Sequence, residues 1–252
     1  MIAWPNRVVL FAAHPDDEVI GASSQFHRIR DLWIVHATDG APANMRDAHA
    51  HGFSTREEYA DARRKELVNA LSIAGIEPWR ALEIGFCDQE TTRHLHQLTE
   101  AVTRLLRNLQ PDAILAPAYE GGHPDHDSVA FAVHHAARIT KIGSLTEYAL
   151  YHNRAGNLHS GEFVAGSHPG ETVLLDDAEK RLKARMLDCF VTQRETLSYF
   201  TRECESFRAA PDYDFAAPPH QGVLFYEMFD WGTTGAAWRK SAREAMSALA
   251  DD

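Results

Sequence analysis

Cysteine is scarce: the 252 residues hold three, Cys87, Cys189 and Cys204, an odd number without a C-x-x-C pair. That argues against both a disulfide framework and a thiolate zinc site. No apolar run reaches 18 residues, and the opening MIAWPNRVVL lacks the basic start and apolar centre of a signal peptide. The expectation is an untethered, cytoplasmic protein without stable membrane insertion. Lysine and arginine never gather into a stripe, and 36 acidic against 25 basic residues leave a net charge of -11, which disfavours nucleic acid as a main partner. G-x-G-x-x-G, G-x-x-x-x-G-K-[ST] and G-x-S-x-G are all missing, and with them the usual signals for dinucleotides, nucleoside triphosphates and serine hydrolysis.

What the chain does have is 44% hydrophobic residues, enough for a full core, and 15 histidines. Short β-branched runs at 7–12, 32–36, 81–84 and 112–117 are each followed by a loop and then by helical spacing, at 18–30, 54–74, 92–109 and 126–138. Ser54-Thr55-Arg56-Glu57 has the form of a capping box, and Gly75 closes the helix it opens. Residues 38–52 lack periodicity and read as an active-site loop or lid. Four repetitions of strand, loop and helix imply an α/β fold, Rossmann-like, with a mainly parallel sheet covered by helices on both faces and ligands at the carboxyl ends of the strands. Beyond residue 145 the pattern loosens: strands are expected at 148–151, 172–175 and 223–228, a long helix at 176–200 capped by Asp176 and Glu179, and a last helix from 234. No linker marks a second domain. The chain reads as one domain over 1–252, with a core at 5–150 and a less regular α/β extension at 151–252 packed on it.

One tripeptide occurs twice, His14-Pro15-Asp16 and His123-Pro124-Asp125, each between an expected strand and an expected helix. The chain's own His, Pro and Asp frequencies give about 0.05 copies by chance. Proline pushes the histidine before it into an extended conformation and fits the first turn of the helix after it. Asp16 and Asp17 in one copy, and Asp125 and His126 in the other, then fall in a first helical turn. If the two strands are neighbours, imidazoles and carboxylates converge on one point, a ligand set for a divalent cation. Two histidines and one carboxylate with an open position are typical of catalytic zinc, with iron(II) as the main competitor, and the expected chemistry is hydrolysis by a metal-activated water.

AHPDDE (Ala13 to Glu18) with GHPDHD (Gly122 to Asp127) resembles the PIG-L/LmbE family of zinc-dependent N-acetylglucosaminyl de-N-acetylases, and the similarity extends through Arg63 to Leu67, Phe86 to Asp88 and Lys183 to Gln193. The resemblance implies Zn2+ on His14, Asp17 and His126, with Asp16 as general base. It implies His123 as stabiliser or proton donor for the tetrahedral intermediate, oriented by Asp125, and Arg63 and Asp88 as sugar contacts. The implied partner is a small amino-sugar conjugate, and nothing excludes a homo-oligomer. An amidase for a larger acyl group, and a non-catalytic sugar binder, are the competing readings.

The chain departs from the family pattern in two places. Gly121 stands where some members carry a tyrosine, leaving Tyr119 as the nearest substitute, and Phe190 stands three residues before Gln193, where a histidine is common. A deviation at Phe190 implies a more apolar or wider pocket. His49, His51, His94, His96, His134 and His135 are expected to be surface or core residues, and Cys87 a small buried residue. Trp231, Trp238, Tyr226 and Phe229 are expected in the core rather than along a sugar groove.

Overall fold

The computed structural model describes residues 2–164 and 168–251. The apolar run RVVLFA forms β1 (Arg7–Ala12), buried on both faces as a central parallel strand must be. It pairs in parallel with β2 (Asp31–Pro42) on one side and with β4 (Ala113–Pro117) on the other. Outside these lie β3 (Ala81–Asp88), parallel to β2, and β5 (Leu145–Tyr148), parallel to β4. The order β3-β2-β1-β4-β5 is the doubly wound arrangement expected from the sequence.

Helices α3 (Arg56–Ile73), α4 (Leu95–Leu109) and α5 (Pro124–Thr140) cover the sheet. Two apolar clusters lie on the two faces of β1: Val8 and Leu10 pack with Leu67 and Leu71 of α3, while Val9 and Phe11 pack with Leu98 and Val102 of α4 and Val129 of α5. The capping box of α3 is Thr55 with Glu58, one residue later than expected. The first helix is short: α1 (Asp17–Ala22) tightens into a 3-10 turn at Ser23–Arg28. The expected lid shrinks because β2 runs on to Pro42, and a one-turn helix α2 (Arg46–Ala50) fills part of the remainder.

The extension joins the sheet as well as packing on it. A hairpin of β6 (Tyr151–Arg154) and β7 (Asn157–Ser160) stands apart, whereas β9 (Cys204–Ala209) adds antiparallel to β5, and β8 (Glu171–Leu174) to β9. The long helix expected at 176–200 breaks after α6 (Asp177–Leu187), because Phe190 leaves helical dihedrals (φ -83°, ψ 70°) to bury its ring completely. A 3-10 turn and α7 (Arg194–Leu197) follow. The strand expected at 223–228 is a 3-10 turn, Phe225–Met228, whose Glu227 accepts the N–H groups of Leu224 (3.0 Å) and Gly235 (2.8 Å), ahead of α8 (Gly235–Asp251). Among the described residues no helix is long and apolar enough to cross a membrane.

A buried ionic knot ties the extension to the core. Glu205 on β9 accepts Ser23 Oγ (2.8 Å), Ser24 Oγ (2.6 Å) and Lys183 Nζ (2.9 Å), and Lys183 also donates to Ile20 O at 2.6 Å. Both side chains are fully buried. Removing one partner leaves an uncompensated buried charge, so Glu205→Ala should lower unfolding free energy by about 3–5 kcal/mol in urea titrations, and the apolar pair Lys183→Met with Glu205→Leu should recover most of it. A loss below about 1 kcal/mol would show that the knot is not what fastens the extension.

Candidate active site

Because β1 and β4 are neighbours, the chain leaves them toward opposite sides of the sheet, and a crevice opens where their following loops part. Both His-Pro-Asp turns stand in it. Gly122 has no room for a side chain, since a Cβ there would lie 2.1 Å from the Tyr151 carbonyl oxygen. The cleft measures about 740 Å³, solvent at its mouth included.

Three side chains meet at its floor. His14 Nδ1 lies 3.3 Å from Asp17 Oδ2, His126 Nε2 lies 3.1 Å from Asp17 Oδ1, and the two ring nitrogens are 3.3 Å apart. Donor atoms around a tetrahedral zinc at about 2.0–2.1 Å stand about 3.3 Å from each other, and the contacts that close this triangle of side chains have that length, with the two histidines facing different oxygens of Asp17. Behind it, His14 Nε2 meets Asp88 Oδ1 at 3.0 Å and Asp125 Oδ2 at 3.3 Å, the carboxylate backing that fixes the tautomer of a metal-bound histidine. Asp17 Oδ2 also accepts the N–H groups of Ala13 (3.1 Å) and His14 (2.8 Å). Two wider sets, His14 with His123 and His126, and His14 with Asp88, His123 and Asp125, bring donor atoms within 4.8 Å of one another. The site is therefore one that a divalent metal ion fits.

The electrostatics agree. Burial opposes charge on His14, but Asp88, Asp17 and Asp125 outweigh it and hold the imidazole well above its ordinary range. Asp17 goes the other way: despite burial, His126 and His14 hold its carboxyl well below the usual range. Burial pushes Asp16 up to about 8 against the pull of Arg63. His123 is pushed well below the ordinary imidazole value by burial and then by His14.

Of the remaining expected residues, Arg63, Asp88 and His123 line the cleft and Asp125 is buried behind it, with different partners from those anticipated. Asp125 meets His123 through its backbone: the Asp125 N–H donates to His123 Nδ1 at 3.1 Å, while the carboxylate stays 3.9 Å away and accepts instead from Gln89 N (2.6 Å) and from the Thr91 hydroxyl. Arg63 points inward and Arg64 outward to Glu83, but Arg63 Nη2 is committed to Pro15 O (2.9 Å) and Asp16 Oδ2 (3.1 Å), and Nη1 to Gly40 O (3.3 Å). Asp88 is bonded to His14.

Tyr119 does not reach the site: its hydroxyl donates to Ala217 O at 2.9 Å and its ring packs with Trp238 and Phe215. Phe190 is core and lines no cleft. Tyr226 and Trp238 are buried as expected, whereas Trp231 lines the cleft with its ring 4.7 Å from that of His123, and the half-exposed Phe229 stacks on it. Tyr151, Gln193, Leu197 and Phe200 line the cleft too and were not singled out as site residues in the sequence. Of these, Tyr151 follows the carboxyl end of β5, a position that could have flagged it. Cys87 is half-buried, its thiol pushed up to about 11 by burial, which leaves it inert as a nucleophile.

The fold has well-matched solved relatives. The A40926 pseudoaglycone deacetylase superposes with a TM-score of 0.63 at 18% identity, covering 82% of this chain and 99% of its own. N,N'-diacetylchitobiose deacetylase from Pyrococcus horikoshii does so at 0.53 and 19% identity, covering 81% and 83%. The 4-carboxy-2-hydroxymuconate hydratase from Pseudomonas putida, at 0.52 and 19%, covers 79% and 84%, so the fold alone does not name the reaction. A search of curated protein sequences finds no match. The model of one family, PIG-L, described as GlcNAc-PI de-N-acetylase, matches residues 9–137, half of the chain and the half that carries every residue of the metal-sized triangle. On that match the chain belongs to the PIG-L family.

Proposed function

We propose that the protein hydrolyses the N-acetyl group of a glucosamine-type sugar conjugate, with Zn2+ held by His14, Asp17 and His126. The observation that carries this is the triangle of side chains His14, Asp17 and His126, closed by contacts of 3.1–3.3 Å and facing the cleft beside a second carboxylate, Asp16, that is not one of its corners. A bound zinc would supply Lewis-acid polarisation of the acetyl carbonyl and a water of lowered pKa.

Asp16 serves as general base. Arg63 holds its Oδ2, and Oδ1 accepts no hydrogen bond from the described residues, so that oxygen is the one left to take the proton of the attacking water. His123 is set as a donor: its Nδ1 accepts from Asp125 N, which places the proton of the neutral ring on Nε2, and its depressed pKa keeps the ring neutral. From Nε2 it donates a hydrogen bond to the oxyanion of the tetrahedral intermediate, and the proton that Asp16 takes from the water passes to the departing amine. Arg63 and Asp88 act here chiefly by holding Asp16 and His14. Sugar hydroxyls are met by the hydrogen-bonding positions these two have left and by Oε1 of Gln193, whose Nε2 is anchored on Tyr59 at 2.7 Å and on Thr192 O at 3.0 Å.

The test is metal analysis of the purified protein together with acetate release from a panel of N-acetylglucosamine conjugates before and after chelation. Asp16→Asn should keep its zinc and lose at least about 100-fold in kcat, while His126→Ala should lose the metal itself. Equal metal loss in both would sink the division of roles.

A second reading is favoured by the apolar side of the cleft, where Ile20, Leu197 and Phe200 stand opposite the charged floor. Such a wall suits an acyl group longer than acetyl. If butyryl or octanoyl conjugates are cleaved with kcat/KM more than about tenfold above the acetyl ones, the reaction is amide hydrolysis of a larger acyl group on the same machinery.

A further inference from the structure

Asp16 has φ 147° and ψ -26°, far from the conformations an ordinary side chain adopts. Its carbonyl accepts the N–H groups of Val19 and Ile20, both at 2.9 Å, which makes it the residue that caps α1. An aspartate in that position normally has extended backbone dihedrals and turns its carboxylate back onto the second or third N–H of its own helix. Asp16 makes no such bond. Its carboxylate lies against Arg63 in the cleft, and its own N–H is taken by Glu18 Oε2 at 3.1 Å. The same Glu18 oxygen is hydrogen bonded to His36 Nε2 on β2 at 2.9 Å, and both side chains are completely buried. The other ends of the pair, Glu18 Oε1 and His36 Nδ1, have no partner among the described residues. Nothing in the proposed reaction uses either residue, and neither lines the cleft.

We propose that Glu18 and His36 form a positioning pair that holds the Asp16 backbone at positive φ and so keeps its carboxylate in the cleft instead of on the end of its own helix. The competition is local. The strained conformation is unfavourable, and a buried N–H without an acceptor would add to that cost. Glu18 removes the second penalty only while its carboxylate is aimed at Asp16 N, and among the described residues the side chain bonded to that same oxygen is His36, reaching over from the neighbouring strand. Without it, Glu18 is free to turn, and Asp16 relaxes to the ordinary capping geometry, bonded to the N–H of Glu18 or Val19.

The inference rests on Asp16 being the base, but its test reads the backbone directly. His36→Val removes the hydrogen bond, and His36→Gln keeps a donor. In zinc-loaded, full-length protein, His36→Val should lose about 10- to 100-fold in kcat with KM and zinc content unchanged, and its crystal structure should show Asp16 at negative φ. His36→Gln should stay within about threefold of wild type with φ still positive. Positive φ in the valine variant, or equal impairment of both variants, would overturn the proposal, and so would a wild-type crystal structure with Asp16 at negative φ. Should wild type release no acetate from any conjugate, the functional reading fails, while the comparison of Asp16 dihedrals still decides the role of the pair.

Discussion

Everything at the site depends on the parallel pairing of β1 with β4, where Val8, Val9 and Leu10 face Ala113, Ile114 and Leu115. The two strands are separated in sequence by a hundred residues of helix and sheet, yet this ladder brings their following turns side by side. A crossover that placed another strand between them would move the two turns apart by one or two strand spacings, about 5–10 Å, and the triangle of His14, Asp17 and His126 could not form. Pro124 then opens α5 and Pro15 stands just before Asp16, the cap of α1, so that Asp17, Asp125 and His126 lie in first helical turns and not on free loops.

The pairing concentrates charge that has few means of neutralisation. Asp16, Asp17, Asp88 and Asp125 are all buried around three imidazoles and the Arg63 guanidinium. With neutral imidazoles, four negative charges would face one positive one. The direction of the shifts follows: Asp16 and Asp88 are pushed upward by burial, and His14 is drawn toward its charged form, so the floor of the cleft takes up protons where a cation would otherwise sit. Metal and proton therefore compete for the same cluster. The surrounding N–H donors, from Ala13, His14 and Gln89, are fixed in the backbone and need no reorganisation when the charge changes hands.

How much of this was legible in the chain depended on whether local pattern and tertiary role agreed. In β1 and β4 they agree, since both strands are apolar throughout, and the doubled His-Pro-Asp marked the crevice between them. In β9 they disagree: Glu205 and Arg208 are buried with ionic partners, so the pattern gave no sign of a strand inside the sheet. The turn at 225–228 fails in the opposite way, its apolar residues imitating a strand although Glu227 closes a 3-10 turn. Within the site the residue identities were readable and their partners were not. Asp125 and Arg63 could have gone to His123 and to substrate. Thr91, Gln89 and Asp16 compete for them at short range, and only the fold brings those groups near.

The wall that holds Trp231, Gln193, Leu197 and Phe200 comes from beyond residue 137, outside the stretch matched by the family. The floor, with every group proposed to move a proton or hold a cation, lies within it. With the roles proposed, chemistry and selectivity are written on separate lengths of polypeptide, joined through the parallel pairing of β4 with β5. Substitutions between residues 190 and 232 can redraw which molecules are admitted without disturbing the groups that act on them. A lineage, or an engineer, can vary the guest list of this enzyme while inheriting its reaction intact.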